Sequence, residues 1–484
     1  VTIFAKNGDD RMVFFQPYQG SALLFKEQPA RFNQPTLLLS NTQLLVKLEL
    51  EKYDTTALAE LLSGQRPLDN IEPTSLAYSG HQFGQFNPLL GDGRAHLIGG
   101  VKLDDRRQYD LHLKGSGATR FSRGGDGFCA LGPAVREFIM SQAMVGLGVP
   151  TTECLAVVTT GHHVYRQGEV PGAVVCRVAK SHIRIGTLQY LATQQNKDEL
   201  WSLLNLLGEQ LFEGFKVKSE QDVLELFREV CEQLVDLVVE WMRVGFIHGV
   251  MNTDNILLSG ETIDFGPCAM MEKFDFNAVF SSIDRQGRYA FGNQPNIMNW
   301  NCARLAEALL VLWQDEQAGI EAFSQTLAEF SESFNRKYKD MWAAKLGIDE
   351  WSDADDILLS DLLKLMTEHE LDFTNTFAAL TNSLLGHPNK ALSVPTELES
   401  WQRQWAQRRA ADEVAANLMS QANPILIPRN ALVEAEIALF NRQGMSQTLE
   451  DWLTALTSPY DYKDYPESWT SASTPAHYQT FCGT

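Results

Sequence analysis

The chain has 484 residues, a formal net charge of −21, 44% hydrophobic residues and 21% charged ones. Such a composition belongs to a globular protein of about two or three domains, with a core that needs no disulfides. The acidic balance argues against a nucleic-acid partner, which needs an extended basic face, but leaves room for a local basic pocket.

No run reaches the roughly 18 apolar residues of a membrane span, so no membrane partner is expected. No positively charged start precedes an apolar stretch, so no signal peptide is expected and the expected location is cytoplasmic. The seven cysteines (Cys129, Cys154, Cys176, Cys231, Cys268, Cys302, Cys482) are irregularly spaced and none forms C-x-x-C. That pattern fits reduced thiols rather than zinc ligands.

Residues 1–75 are punctuated by Pro and Gln, with one helix predicted from Leu38 to Tyr53. The segment from Tyr78 to Arg94, YSGHQFGQFNPLLGDGR, is polar, Gly-rich and without a clear period. Long irregular stretches inside a domain are usually functional or mobile. Gly91 and Gly93 flank Asp92 and precede Arg94, a turn whose amides suit a phosphate, although an ordinary turn reads equally well.

Two strands are predicted next, Ala95 to Leu103 and Gln108 to Lys114. In the second, Tyr109, Leu111 and Leu113 alternate with Asp110, His112 and Lys114. Lys114 then enters GSGATRFSRGGDG (115–127), a Gly-rich, Arg-bearing flap suited to phosphate. No Walker motif is present, which disfavours a P-loop fold.

A helix is predicted from Pro133 to Val145, with proline at its start. Glu137 lies off its apolar face, where a solvated glutamate is the simple reading. Strand-lysine followed by helix-glutamate is nevertheless the order of the kinase Lys–Glu pair. Further strands are predicted at Cys154–Thr160 and Ala173–Val178. Arg177 and Arg184 follow as surface residues or as fork donors to a triphosphate.

The chain then turns helical, at 198–215 and 221–245. The second stretch has one apolar face of Val223, Phe227, Val230, Leu234, Leu237 and Trp241. It leads straight into HGVMNTDNILLSGETIDFGP, residues 248–267. There ILLSGETI reads as a hairpin that returns Asp264 toward Asp254 and Asn255.

Two carboxylates and an amide oxygen suit Mg²⁺ or Mn²⁺ shared with phosphate. In kinases a catalytic-loop Asn and the Asp of Asp-Phe-Gly hold the metal. The frame His248-Gly249-Val250 puts valine where the kinase base stands, and valine accepts no proton. Asp254 is the nearest carboxylate. Helices are predicted further at 300–345, 355–384, 399–420 and 430–441, with a boundary linker at 386–396 and an acidic, aromatic tail.

With these parts in order, the chain resembles the selenoprotein O family of kinase-like proteins. The blocks that carry the resemblance are SGHQFGQFNPLLGDGRA (79–95), LKGSGATRFSRGGDG (113–127), HGVMNTDN (248–255), IDFGP (263–267), QGRYAFGNQP (286–295) and NPILIPRNALVEAEI (423–437). The resemblance implies an α+β fold, bilobal and protein-kinase-like, with a β-rich N-lobe and a helical C-lobe. Its expected divisions are an N-terminal extension (1–75), the N-lobe (76–180), the C-lobe with the catalytic and metal loop (181–385) and a C-terminal helical extension and tail (386–484).

The implied activity is transfer of AMP from ATP to Ser, Thr or Tyr hydroxyls of proteins, with ATP inverted relative to ordinary kinases. UTP in place of ATP stays open. By the same resemblance, Gly91, Gly93, Arg94, Lys114, Asp126, Gly127, Arg177, Arg184 and Asp264 contact ATP, and Glu137 holds Lys114. Asp254 is the proton acceptor, while Asn255 and Asp264 bind Mg²⁺ or Mn²⁺. Cys482 matches a C-terminal cysteine or selenocysteine position of the family. Its partner is not assigned, with Cys268 as one candidate. Two rivals stay open: γ-phosphoryl transfer, and an inert nucleotide-binding scaffold.

Overall fold

The computed structural model describes residues 12–166, 168–212, 214–386, 392–475 and 477–481. The first strands are β1 (Met12–Phe15), β2 (Leu24–Lys26) and β3 (Thr36–Ser40), followed by helices α1 (Thr42–Lys47) and α2 (Thr55–Leu61). Next come β4 (Thr74–Leu76), β5 (Gly80–Gln82), β6 (Gln85–Asn87), β7 (Ala95–Leu103) and β8 (Gln108–Lys114). Then follow β9 (Cys129–Ala130), α3 (Leu131–Gly146), β10 (Glu153–Tyr165) and β11 (Glu169–Ala179).

Among the described residues these strands build a nine-stranded antiparallel sheet in the order β2-β4-β7-β8-β11-β10-β3, with β1 on β7 and β9 on β11. The short β5–β6 hairpin stands apart. The architecture is mixed α/β, an antiparallel sheet joined to many helices.

Alternation along β8 explains why the sheet buries both faces. Tyr109, Leu111 and Leu113 join one apolar core beneath α1 and α2. Asp110, His112 and Lys114 point the other way and are also buried. Buried polar groups need partners, and Lys114 finds Glu137 on α3.

The helix predicted at Leu38–Tyr53 forms only over Thr42–Lys47. Thr36–Ser40 is instead strand β3, paired with β10. Its run of three leucines is satisfied as readily by a strand as by a helix. Asn41 then caps α1 by accepting from the Leu44 N–H at 2.9 Å.

The helical part begins with α4 (Ile185–Thr193), α5 (Lys197–Leu211) and α6 (Glu220–Val244). Helix α6 starts with a capping box between Ser219 and Asp222 and stops at Gly245, whose φ of +74° closes the helix in the left-handed region. It delivers the chain into β12 (Phe246–Ile247), which pairs with β13 (Ala269–Met270). There follow α7 (Gln294–Leu310), α8 (Glu316–Leu346), α9 (Asp353–Glu368) and α10 (Phe373–Asn382). The last are α11 (Glu399–Arg408), α12 (Asp412–Ala422), α13 (Asn430–Gln443), α14 (Gln447–Leu456) and α15 (Glu467–Thr470). Helix α14 falls in the stretch read from sequence as tail. Among the described residues, no helix is long and apolar enough to cross a membrane.

Candidate active site

The hairpin predicted at 256–263 does not form. Its two arms pair with other segments, Leu257 with Arg184 and Thr262 with Thr151. What brings the two ends together is the β12–β13 pair on either side of the loop. His248 adds a tie, its Nε2 lying 2.9 Å from the Ile263 carbonyl. Gly249, at φ +82°, allows close approach, because a Cβ there would meet the Pro267 carbonyl at 2.5 Å.

A cavity of about 530 Å³ opens between this loop, β7–β8 and the 115–127 flap. Its lining includes Gly91, Gly93, Arg94, Lys114, Asp126, Gly127, Arg177, Arg184, Asp254, Asn255 and Asp264. Only Glu137, among the residues predicted for the site, lies behind the wall. The lining holds six Lys and Arg side chains against four Asp side chains, in a chain of net charge −21. A locally cationic cavity in an acidic protein suits an anionic ligand.

Lys114 sits at the centre of a buried ion network. Its Nζ donates to Glu137 Oε2 at 2.7 Å and to Asp264 Oδ1 at 2.8 Å. Arg177 donates to both Glu137 oxygens and, at 3.1 Å, to the same Asp264 Oδ1. Burial alone would raise the Glu137 carboxyl, but Arg177 and Lys114 outweigh it and hold it at about 2. Burial opposes the Asp264 charge in the same way, and Lys114 and Arg177 keep it ionised. The simple reading of Glu137 as solvated is therefore wrong, since only 2% of it is exposed. The Arg177 fork is occupied by carboxylates.

Asp254 is a different case. It is buried, and burial pushes its carboxyl up to about 6, against the pull of Arg184. Its Oδ2 receives a long 3.4 Å bond from Gln82 Nε2, while Oδ1 has no hydrogen-bond partner. Arg184 reaches the Asp254 backbone carbonyl at 3.1 Å and lies 4.3 Å over the Tyr78 ring.

Asn255 donates from its amide to the Val250 carbonyl at 3.0 Å, which leaves its Oδ1 to accept. Asp264 binds both cations through Oδ1 and adopts a left-handed φ of +67°, a strained conformation of the kind found at functional sites. Among the described residues no three His, Cys, Asp or Glu side chains gather as a metal cluster. Asn255 and Asp264 both line the cavity, and the oxygens they offer, Asn255 Oδ1 and Asp264 Oδ2, are hard donors. They fit a divalent ion that completes its shell with phosphate oxygens and water.

The flap is fastened rather than free. Thr119 Oγ1 donates to the Asp92 carbonyl at 2.7 Å, and Ser122 Oγ donates to the Gly93 carbonyl. Phe121 covers Gly91 so closely that any Cβ there would enter its ring. Asp126 is held by Arg166 at 2.7 and 3.0 Å. Cys268 is buried, its thiol pushed up to about 12 by burial, and Cys482 lies outside the described residues.

Sequence reasoning missed several residues. Asp92 is buried and paired with His112 at 3.1 Å and Arg184 at 3.5 Å. Burial opposes its charge, yet His112 and Arg184 hold the carboxyl well below the usual range. The alternation that put His112 on the Lys114 face of β8 was its one visible signal. Gln82 and Phe83 sit in the β5–β6 hairpin, whose turn has φ +51° at Phe83 and +83° at Gly84. Phe-Gly is not a common hairpin turn pair. It is held from outside by the Phe83 N–H to Asn252 Oδ1 bond at 3.0 Å.

The model of the family described as "Protein adenylyltransferase SelO" matches residues 15–457. A "Protein nucleotidyltransferase YdiU" of Pseudoalteromonas translucida is 48% identical over 461 residues, covering 95% of this chain and 97% of the relative. Proteins of the same name from Teredinibacter turnerae and Geobacillus kaustophilus are 46% and 43% identical, over 96% and 95% of this chain and 98% and 96% of their own lengths. The chain belongs to the protein adenylyltransferase SelO family.

Proposed function

We propose that this protein transfers AMP from ATP to Ser, Thr or Tyr hydroxyls of other proteins and releases pyrophosphate. The observation that carries the reading is the pairing of two unlike carboxylates in one cavity. Asp264 is held ionised by Lys114 and Arg177, while the buried Asp254 keeps Oδ1 free. Such divergence between neighbouring carboxylates separates an electrostatic role from a proton-accepting one.

In this reading the acceptor hydroxyl oxygen attacks the α-phosphorus and its proton passes to Asp254 Oδ1. The bond from the α-phosphorus to the bridging oxygen breaks, and pyrophosphate leaves with that oxygen. Lys114 neutralises phosphate charge, and Glu137 with Arg177 fixes where the ammonium stands. Arg94 and Arg184 face the triphosphate, and the Gly91–Gly93 turn with Asp126 and Gly127 frames it. Asn255 and Asp264 would hold Mg²⁺ or Mn²⁺, which when bound neutralises charge between the phosphates.

The proposed fold frame is kinase-like and bilobal, with boundaries near 75, 180 and 385. Its support is the order strand-lysine, helix-glutamate, loop Asp-Asn and Asp-Phe-Gly. Val250 at the position of the kinase base favours α- over γ-transfer.

Asp254→Asn tests the assignment. Loss of a positioned general base lowers kcat by about 10²–10⁴-fold, while ATP affinity, measured by calorimetry with metal present, stays near wild type. Undiminished AMP transfer in that variant would rule Asp254 out as the base.

A further inference from the structure

Two sequence blocks that carry the family resemblance extend past the cavity just described, which the first of them touches through Gln82 and Phe83. They are the first half of 79–95 and the block 286–295. The structure brings them together. The β5–β6 hairpin begins at Gly80, where a Cβ would come 2.5 Å from Asp254 Oδ1. It turns at Gly84, where a Cβ would come 3.5 Å from Arg288 Cζ. The hairpin therefore spans from the proposed base to Arg288.

Arg288 belongs to a cationic and aromatic cluster. Its guanidinium lies 4.7 Å from the Trp300 ring centre, and that of Arg304 lies 5.0 Å from the same ring. His81 packs edge-on against Trp300 at 5.3 Å and tilted against Phe86 at 4.8 Å. Arg304 is paired with Glu307 at 2.7 Å. No carboxylate pairs with Arg288 among the described residues; the side chain is half-buried, and its Nε and Nη2 are buried without a hydrogen-bond partner. The nearby Asp284 is committed to the backbone N–H groups of Arg288 and Tyr289, at 2.9 and 2.7 Å.

A stacked arginine without an anion, on a protein of net charge −21, is a local feature with a definite complement. Apolar side chains border the same surface. Phe86, Leu89 and Ile283 are 43%, 49% and 51% exposed. Ile283 also lines the cavity mouth. A peptide crossing this surface would find apolar contact along its length and a cation at one end.

We propose that the β5–β6 hairpin and the Arg288–Trp300–Arg304 cluster dock an acidic segment of the acceptor protein. The aspartate or glutamate lies within about four residues of the hydroxyl that is modified. The spacing is bounded by the hairpin, since Gly80–Gln82 is extended and Phe83 and Gly84 form the turn, so the run from Gly80 to Gly84 covers at most roughly 13 Å, the length of about four extended residues. This inference rests on the adenylylation reading only for the statement that Asp254 marks the position of the hydroxyl.

The test uses fluorescently labelled Gly/Ala peptides with one central threonine. A single aspartate is moved stepwise along one set, and asparagine replaces it in the other. Binding is read by anisotropy with a non-hydrolysable ATP analogue and Mg²⁺, and AMP incorporation is measured in parallel with ATP. One aspartate position binds about fivefold tighter than its asparagine counterpart, the scale of a single favourable ion pair. The advantage shrinks with added salt and disappears in Arg288→Ala. ATP binding in that variant reports an intact fold, and Arg288→Gln replaces it if ATP binding is lost.

Aspartate and asparagine peptides binding alike, or a preference that survives both Arg288 substitutions, would overturn the proposal. If no peptide acquires AMP while the aspartate preference persists, the activity reading fails and the docking surface stands.

Discussion

Lys114 Nζ and Asp264 Oδ1 lie 2.8 Å apart although 150 positions separate them in the chain. That contact joins the sheet to the loop that follows α6, and both residues line the cavity. Lys114→Met leaves Glu137 and Asp264 without one cation and removes the ammonium from the phosphates. We expect a fall in kcat of about 10²–10³-fold, the range for losing one preorganised charge donor. Steady-state AMP transfer measures it. Retention of more than a tenth of wild-type activity would contradict the role.

Gly91 carries a second prediction. Its φ is +69° and Phe121 occupies the space a side chain would need. Gly91→Ala must displace the flap or strain the turn, at a cost of about 1–3 kcal/mol. The variant is expected to melt lower and to bind ATP more weakly. Phe121→Ala combined with Gly91→Ala is expected to recover part of the melting temperature, because it clears the clash.

Glu261 predicts a pH dependence of stability. It is buried, accepting from Ser259 Oγ at 2.6 Å and from the Lys180 N–H at 3.0 Å, and burial raises its carboxyl from 4.5 to about 7. The folded protein therefore holds this proton more tightly than the unfolded chain between those two values. Its contribution is fully present below 4.5 and is lost as pH rises through about 7. Glu261→Gln removes the dependence. In urea titrations it should exceed wild type by about 1–3 kcal/mol at about pH 8 and match it at about pH 4. A constant offset between the two proteins across pH would refute the assignment.

Arg136 predicts that the far C-terminal helices support the site. Its Nε and Nη2 donate to the carbonyls of Phe265 and Cys268, at 3.3 and 2.6 Å, and its Nη1 donates to Glu434 on α13 at 2.7 Å. Arg136→Met leaves two buried carbonyls without donors, at a cost of about 2–4 kcal/mol. Urea unfolding measures the loss. ATP affinity should fall with it, since Asp264 directly precedes the freed segment.

How far the sequence could be read depended on the range of the forces involved. The strands Ala95–Leu103 and Gln108–Lys114 were legible to the residue, because alternation is local. The course of 256–263 was not, because Leu257 and Thr262 pair with residues 184 and 151. The helix pattern alone left Glu137 a surface glutamate, and only the order of elements and the family resemblance tied it to Lys114, because its cations come from strands 23 and 40 positions away. Asp92 was visible only as the residue between two glycines, its imidazole and guanidinium partners lying 20 and 92 positions off. The cluster around Trp300 drew no reading as a cluster, although two of the blocks that carry the resemblance supply Arg288, His81 and Phe86, since stacked arginines leave no periodic trace.

The central claim is that the α-phosphorus, not the γ, is attacked. Purified protein is incubated with a protein acceptor, divalent metal and ATP labelled at either the α- or the γ-phosphate, and the acceptor is then separated and counted. The account predicts α-label on the acceptor, γ-label in released pyrophosphate, and neither transfer in Asp254→Asn. Stable γ-label on the acceptor would contradict it.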